Sequence, residues 1–292
     1  MGDISRVGVV GSGIMGAGIA EVCARAGLDV VVAEISAEAA RAGQDRVARS
    51  LYRAVQAGKL TQAGRDKALS AIRFTTCLAE FADRELVIEA VTEHAEAKSG
   101  VLAAVDKIVA GREAILASNT SSIPIMKLAM ATSRVPQVIG IHFFNPAPVL
   151  SLVELIPSLL TSEETYWRAE AFITATLGKT AIRCPDRAGF VVNALLIPYL
   201  VAAIRMLESG SASAQDIDTG MVLGCGHPIG PLRLADLIGL DTVAAVARSM
   251  HEEFAEPPYA PPPLLQRMVD AGLLGRKTGR GFYDYTELAR EA

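Results

Sequence analysis

Two short stretches of the chain carry residue types that can do chemistry together. His142 opens the run His142-Phe143-Phe144-Asn145-Pro146, directly after the β-branched segment 138–141, and Glu154 follows twelve residues later in a second strand-like run. Such a strand delivers its last residues to the carboxyl edge of an α/β sheet, where ligands bind. Neighbouring strands can hold an imidazole and a carboxylate within hydrogen-bond reach. The carboxylate then fixes the ring tautomer and stabilises the imidazolium formed when the histidine takes a proton. Position alone also allows a histidine buried in the core. His94, His227 and His251 show no comparable carboxylate pattern and read as structural.

A second constellation says what that base would serve. Gly11-Ser12-Gly13-Ile14-Met15-Gly16 is a G-x-G-x-x-G motif between a β-branched run at 6–10 and a helical pattern at 14–26. Gly11 permits the tight turn, Gly13 lets the backbone approach a pyrophosphate, and Gly16 lets helix and strand pack closely. The pyrophosphate sits on the positive end of the helix. Glu34, 18 residues past Gly16 at the end of the next strand-like run, is placed to accept the ribose hydroxyls and to repel a 2′-phosphate. The implied cofactor is NAD in preference to NADP; the bland alternative is a glycine-rich turn with no ligand. A nicotinamide needs a base such as His142, because hydride leaves carbon only as the alcohol proton is taken.

Further polar groups flank this pair. Ser118-Asn119-Thr120-Ser121-Ser122 follows the strand-like run 114–117. These side chains suit hydrogen bonds to ribose, the nicotinamide amide or substrate, and Ser122 equally suits an ordinary helix cap. Asn193 lies in an otherwise apolar helical run, where an unpaired amide is costly; it bonds its own scaffold or points to a substrate carbonyl. No H-x-x-H or carboxylate cluster suggests a metal.

The elements that must position these groups alternate. Strands are expected at 6–10, 29–33, 86–89, 114–117, 138–142, 149–156 and 180–184, with helices at 14–26, 95–109 and 163–177. Residues 36–70 form a helical hairpin inserted before the third strand, broken at Ala57-Gly58-Lys59 and capped by Thr61. The pattern predicts a Rossmann-type α/β domain over 1–186, its mainly parallel sheet covered on both faces. From 187 to 292 only helices follow, at about 187–208, 213–223, 231–238, 240–253 and 263–271, with a Pro-rich surface connection at 257–263.

Composition agrees with two globular domains: 292 residues, 51% hydrophobic, 21% charged, net charge −4. Without a Lys/Arg run, nucleic acid is not an expected partner. The scattered Cys23, Cys77, Cys184 and Cys225 read as reduced thiols. The N-terminus runs straight into a strand-like segment, so no signal peptide and a cytoplasmic location are expected. The apolar run 190–204 contains Pro198 and is too short to span a bilayer; it reads as a buried or subunit-interface helix, which predicts a homodimer.

Together these motifs resemble the 3-hydroxyacyl-CoA dehydrogenase family, most closely its short bacterial 3-hydroxybutyryl-CoA members, from about Ser5 to Tyr285. The resemblance rests on G-S-G-I-M-G at 11–16, A-S-N-T-S-S at 117–122, H-F-F-N-P at 142–146 and D-R-A-G-F-V-V-N at 186–193. H-P-I-G-P at 227–231, D-L-I-G-L-D at 236–241 and G-R-K-T-G-R-G-F-Y at 275–283 add to it. It implies NAD-dependent oxidation of an (S)-3-hydroxyacyl-CoA, with His142 as base, Glu154 as its partner, and Ser121 and Asn193 touching substrate. Glu34, Glu93, Lys98, Asn119, Ser121, Asn145 and Lys277 would lie near the NAD. Ser50 and Lys59 of the hairpin would help bind CoA, and the helical domain would dimerise. Two positions depart from the family: Ala188 stands where proline is usual and Ala194 where arginine often follows the asparagine, which predicts altered packing at the junction without loss of chemistry. Rival readings are a dehydrogenase acting on a carrier-protein-bound hydroxyacyl group and a non-catalytic NAD-binding relative.

Overall fold

The structure, a computed structural model, describes residues 4–286. Residues 1–3, which begin the segment behind the expectation of no signal peptide, lie outside the described part. The chain divides into two compact units that meet between Asp186 and Arg187.

The first unit is built on eight strands: β1 (Arg6–Val10), β2 (Asp29–Ala33), β3 (Ile72–Thr75), β4 (Leu86–Glu89), β5 (Ile115–Ser118), β6 (Val138–Phe143), β7 (Leu152–Pro157) and β8 (Thr180–Arg183). Their spatial order is β3-β2-β1-β4-β5-β6-β7-β8, and every pairing is parallel except β6 with β7. Parallel strands form here because the central ones are apolar runs buried on both faces. Val30, Val31 and Val32 are all fully buried, as are Leu86, Val87 and Ile88. Each such side chain contributes about 1.5–3 kcal/mol of burial.

Helices cover the faces: α1 (Ile14–Arg25), α2 (Ala37–Gln56), α3 (Gln62–Ser70), α4 (Ala95–Ile108), α5 (Ile125–Ala129) and α6 (Glu163–Ala171), the last continuing as a π turn over Phe172–Thr176. The predicted hairpin is α2 and α3, and the Thr61 hydroxyl accepts from the N–H of Gly64. Two corrections arise. The hairpin leads into β3, a strand not anticipated from the sequence; Ile72-Arg73-Phe74-Thr75 is short, lies at the sheet edge and is only partly buried. Ser122 caps no helix, since α5 begins after Pro124, and its first two N–H groups, of Ile125 and Met126, donate to the Asp186 carboxylate at 2.7 and 2.8 Å.

The second unit is helical: α7 (Val192–Glu208), α8 (Ala214–Cys225), α9 (Pro231–Ile238), α10 (Leu240–Phe254) and α11 (Pro263–Asp270) around its own core. The helix expected from 187 starts at 192, because Gly189 and Phe190 take φ of +82° and +48°. Two of the sequence motifs are joined here for structural reasons. The buried Asp236 carboxylate of α9 accepts from the N–H groups of Phe282 and Tyr283 and from the Tyr285 hydroxyl. A Cβ on Gly281 would sit 1.9 Å from that carboxylate, so glycine is required. Among the described residues no helix is long and apolar enough to cross a membrane.

Candidate active site

β6 and β7 are the one antiparallel pair, and their register sets His142 directly opposite Glu154. The Nδ1 of His142 lies 2.7 Å from Glu154 Oε2, with His142 4% exposed and Glu154 fully buried. An ionised carboxylate only accepts, so Nδ1 carries the proton and Nε2 of the neutral ring is left as an acceptor. The Ser121 hydroxyl stands 3.2 Å from Nε2. Phe144 packs edge-on against the imidazole, with ring centroids 4.7 Å apart. An imidazole with a fixed tautomer, a buried carboxylate on one ring nitrogen and a hydroxyl at the other is thus assembled from three separate stretches of sequence.

Ser121 is itself held by the turn after β5. Glu93 Oε1 accepts from the Thr120 hydroxyl (2.6 Å), the Ser121 N–H (2.8 Å), the Ser122 N–H (3.1 Å) and the Ser122 hydroxyl (3.1 Å). Burial pushes the Glu93 carboxyl up, but the Lys98 charge and these bonds outweigh it and hold it below the usual glutamate range. Lys98, on α4, is almost fully buried and lies 3.2 Å from Glu93 Oε2 and 2.9 Å from Glu89 Oε1. Glu89, the last residue of β4, also accepts from the Ser118 hydroxyl at 2.7 Å and the Val91 N–H at 2.6 Å. Asn119 turns its side-chain oxygen to the N–H of Phe143 (2.8 Å) and so tethers this turn to the end of β6. Glu89 was not anticipated, although an acid closing an apolar strand, as Glu34 closes β2, was a signal present in the sequence.

The glycine loop has the shape a dinucleotide needs. Gly11 takes φ +91°, and a Cβ there would lie 2.8 Å from the carbonyl oxygen of Ala90. A Cβ on Gly16 would meet the carbonyl oxygen of Gly11 at 1.9 Å, whereas one on Gly13 would meet nothing within 4 Å. The first and third glycines are therefore demanded by the protein's own packing. The second faces open space at the start of α1, where no side chain caps the helix, and this fits a pyrophosphate. Ile14 is 68% exposed beside it, while Met15 packs against the core. Glu34 Oε1 accepts from the N–H and, at 2.8 Å, the hydroxyl of Ser12, so the carboxylate expected to read the ribose also braces the loop.

Beside α1 and α2 runs a cleft of about 350 Å³ whose walls include Gly18, Glu21, Arg46, Arg49, Ser50, Arg53, Asn145 and Pro146. The three arginines recur at helical spacing on one face of α2, a donor arrangement suited to phosphates. Arg46 also donates to the carbonyl of Ser12 at 3.1 Å. The arginines escaped the sequence reading, although their spacing within the Arg-rich hairpin was visible. Lys59 is exposed on the turn between α2 and α3 and is not part of the cleft wall. Asn193 sits half-buried in the first turn of α7, in the second unit. In that unit too, Lys277 Nζ lies 2.6 Å from both carboxylate oxygens of Asp241. His94 does have a carboxylate neighbour, Glu96 at 3.0 Å, but that pair is 68% and 78% exposed. His227 meets the Tyr199 hydroxyl at 3.1 Å.

Residues 6–187 match the family model for the 3-hydroxyacyl-CoA dehydrogenase NAD binding domain, and residues 189–285 match that family's C-terminal domain. A 3-hydroxybutyryl-CoA dehydrogenase of Mycobacterium tuberculosis is 57% identical over 282 residues, covering 97% of this chain and 99% of that protein. The crystal structure of M. tuberculosis FadB2 superposes with a TM-score of 0.96 at 57% identity, over 97% of this chain and all of the other. The structure of (S)-3-hydroxybutyryl-CoA dehydrogenase PaaH1 from Ralstonia eutropha gives a TM-score of 0.91 at 50% identity, over 97% and 99% of the two chains. The glycine loop is therefore that of an NAD-binding domain, and the chain belongs to the 3-hydroxyacyl-CoA dehydrogenase family.

Proposed function

We propose that the protein oxidises (S)-3-hydroxyacyl-CoA to 3-oxoacyl-CoA, with a short acyl chain such as 3-hydroxybutyryl, and that His142 is the general base. The observation that carries this reading is the line Glu154–His142–Ser121, with contacts of 2.7 and 3.2 Å on the two ring nitrogens. NAD held on the glycine loop supplies the hydride acceptor. Nε2 of His142 would take the hydroxyl proton as hydride leaves the carbon that bears that hydroxyl, Glu154 would stabilise the imidazolium, and Ser121 would orient the substrate oxygen. In the reverse reduction the imidazolium returns the proton. The names of the M. tuberculosis and R. eutropha relatives support the acyl group and its stereochemistry.

Arg46, Arg49 and Arg53 support CoA as the carrier, since their guanidinium groups offer partners for its phosphates. Replacing Arg49 and Arg53 with Ala is expected to raise KM for acyl-CoA about tenfold or more with kcat held, each lost charge-assisted bond being worth about 1.5–3 kcal/mol. Turnover of carrier-protein-bound and CoA-bound 3-hydroxybutyryl groups, followed by NADH formation, tests the reading; no NADH from either would refute it. We place the enzyme in the cytoplasm as a homodimer formed through the second unit. There Leu195, Leu223 and Leu237 are 76%, 79% and 50% exposed, apolar area that a contact between copies would cover. A light-scattering mass equal to one chain would overturn the dimer.

A further inference from the structure

We propose that Glu93 makes the cofactor site discriminate between the redox forms of NAD, favouring the oxidised form over NADH. The proposal rests on His142 being the base. Oxidation removes a proton to Nε2 and a hydride to the nicotinamide from one H–C–O–H group, so the ring must lie beside that nitrogen. From Nε2 the path to Glu93 is short: 3.2 Å to the Ser121 hydroxyl, then from the Ser121 N–H 2.8 Å to Glu93 Oε1. The carboxylate therefore lies within roughly 10 Å of Nε2, the atom the ring must lie beside. The oxidised ring carries a positive charge that the reduced ring lacks, so a fixed local charge acts on one form and not on the other.

The local charge is negative. Lys98 Nζ contacts both oxygens of Glu89, at 2.9 and 3.2 Å, and these two buried groups neutralise one another. Glu93 shares the same ammonium at 3.2 Å, but its remaining partners are hydroxyls and backbone N–H groups, which carry no net charge. Two carboxylates on one ammonium leave a surplus of one negative charge. The surplus belongs to Glu93, whose side chain is 35% exposed where Glu89 has no exposure. Glu154, hydrogen-bonded to the neutral ring of His142, adds a further negative charge that substitution at Glu93 leaves in place. Hydrogen bonds and Lys98 keep Glu93 ionised against the effect of burial, so its charge persists at neutral pH. At an effective dielectric near 20, one charge at this range shifts a binding ratio by about tenfold.

The test measures dissociation constants of NAD and NADH separately, by calorimetry on the whole enzyme without substrate. Glu93→Gln should raise the ratio Kd(NAD)/Kd(NADH) about tenfold, chiefly through weaker binding of NAD. Thr120→Val removes a hydrogen bond to the same oxygen but no charge, and should leave the ratio within about twofold. Should Glu93→Gln fail to fold, Glu89→Gln removes a negative charge from the same cluster and must move the ratio in the same direction. An unchanged ratio in the charge variants, or an equal change in Thr120→Val, overturns the proposal. If His142→Ala abolishes turnover while Glu93→Gln leaves the ratio unchanged, this inference alone fails; if His142→Ala turns over normally, the placement of the ring fails with it.

Discussion

The two ends of the sheet are both rich in charge, and they use it in opposite ways. At the amino ends of the strands, Arg6 pairs with Glu85 at 2.8 Å, while Arg84 reaches Asp29 at 2.8 Å and Asp83 at 2.9 Å. A hollow of about 530 Å³ opens there, larger than the 350 Å³ cleft beside α2. Yet the carboxylates paired with Arg84 at this end lie at the surface, Asp29 and Asp83 being 56% and 59% exposed. At the carboxyl ends, Glu89 and Glu154 have no exposure, and their partners are a shared lysine, a serine, a backbone N–H and a histidine. Surface pairs in high dielectric contribute little, whereas buried ones are sensitive to the loss of a single partner. Cavity size therefore misleads here. What marks the proposed working end is charge held away from water by groups that can move a proton or accept a ligand.

The contrast can be broken most directly at His142. His142→Ala is expected to lower kcat by about 10²–10⁴-fold, the usual loss for a general base, with NAD affinity near wild type by calorimetry. Next comes Glu154→Gln, which keeps the shape and removes the counter-charge. A fall in kcat of about 10²-fold is expected, again with NAD binding intact; an unchanged kcat would reduce Glu154 to a structural strand residue. Glu34→Ala should weaken NAD by about 1–3 kcal/mol and relax the preference against NADP. Because Glu34 also braces Ser12, Glu34→Gln, which retains an acceptor, should keep more of the NAD affinity than Glu34→Ala in a direct titration.

The smallest effect is expected at the amino edge. Glu85 accepts from the N–H groups of Ser5 and Arg6 at 2.8 and 3.0 Å. Burial pushes its carboxyl up, but these bonds and Arg6 outweigh it and bring it below the usual range. A group depressed on folding stabilises fully above its unfolded value, about 4.3, and loses that contribution as pH falls through its folded value. Glu85→Gln should therefore cost about 1 kcal/mol or less near neutrality, with the difference fading in acid and kcat unchanged. Urea unfolding at two pH values measures it; a large kinetic effect would erase the distinction between the two ends.

What could be read from the sequence followed from local chemistry. The glycine loop, the Thr61 cap and the break at Gly58 are signalled by neighbouring residues, and the periodic apolar runs gave nearly every helix. β3 was missed because an edge strand of four residues, none of them fully buried, borrows its order from β2. The Glu89–Lys98–Glu93 cluster was only half legible, since Lys98 follows Glu89 by nine residues and nothing local announces that strand and helix close on one another. Ala188 illustrates a departure from the family that the structure accounts for. Its N–H donates to Glu253 Oε2 at 2.8 Å, alongside Arg187 at 3.1 Å on the other oxygen, and the proline usual in the family has no N–H to give.

The carboxylate of Asp186 closes the amino end of α5 from 60 positions further along the chain. That single residue decides where the polypeptide can be cut. A fragment ending at Cys184 would keep all eight strands and still leave the N–H groups of Ile125 and Met126, just past the serine-rich turn, without their acceptor. Two more residues restore it. Any attempt to produce the nucleotide-binding half alone, to fuse it to another module or to permute the chain should keep Asp186 with the sheet and make its break after that residue.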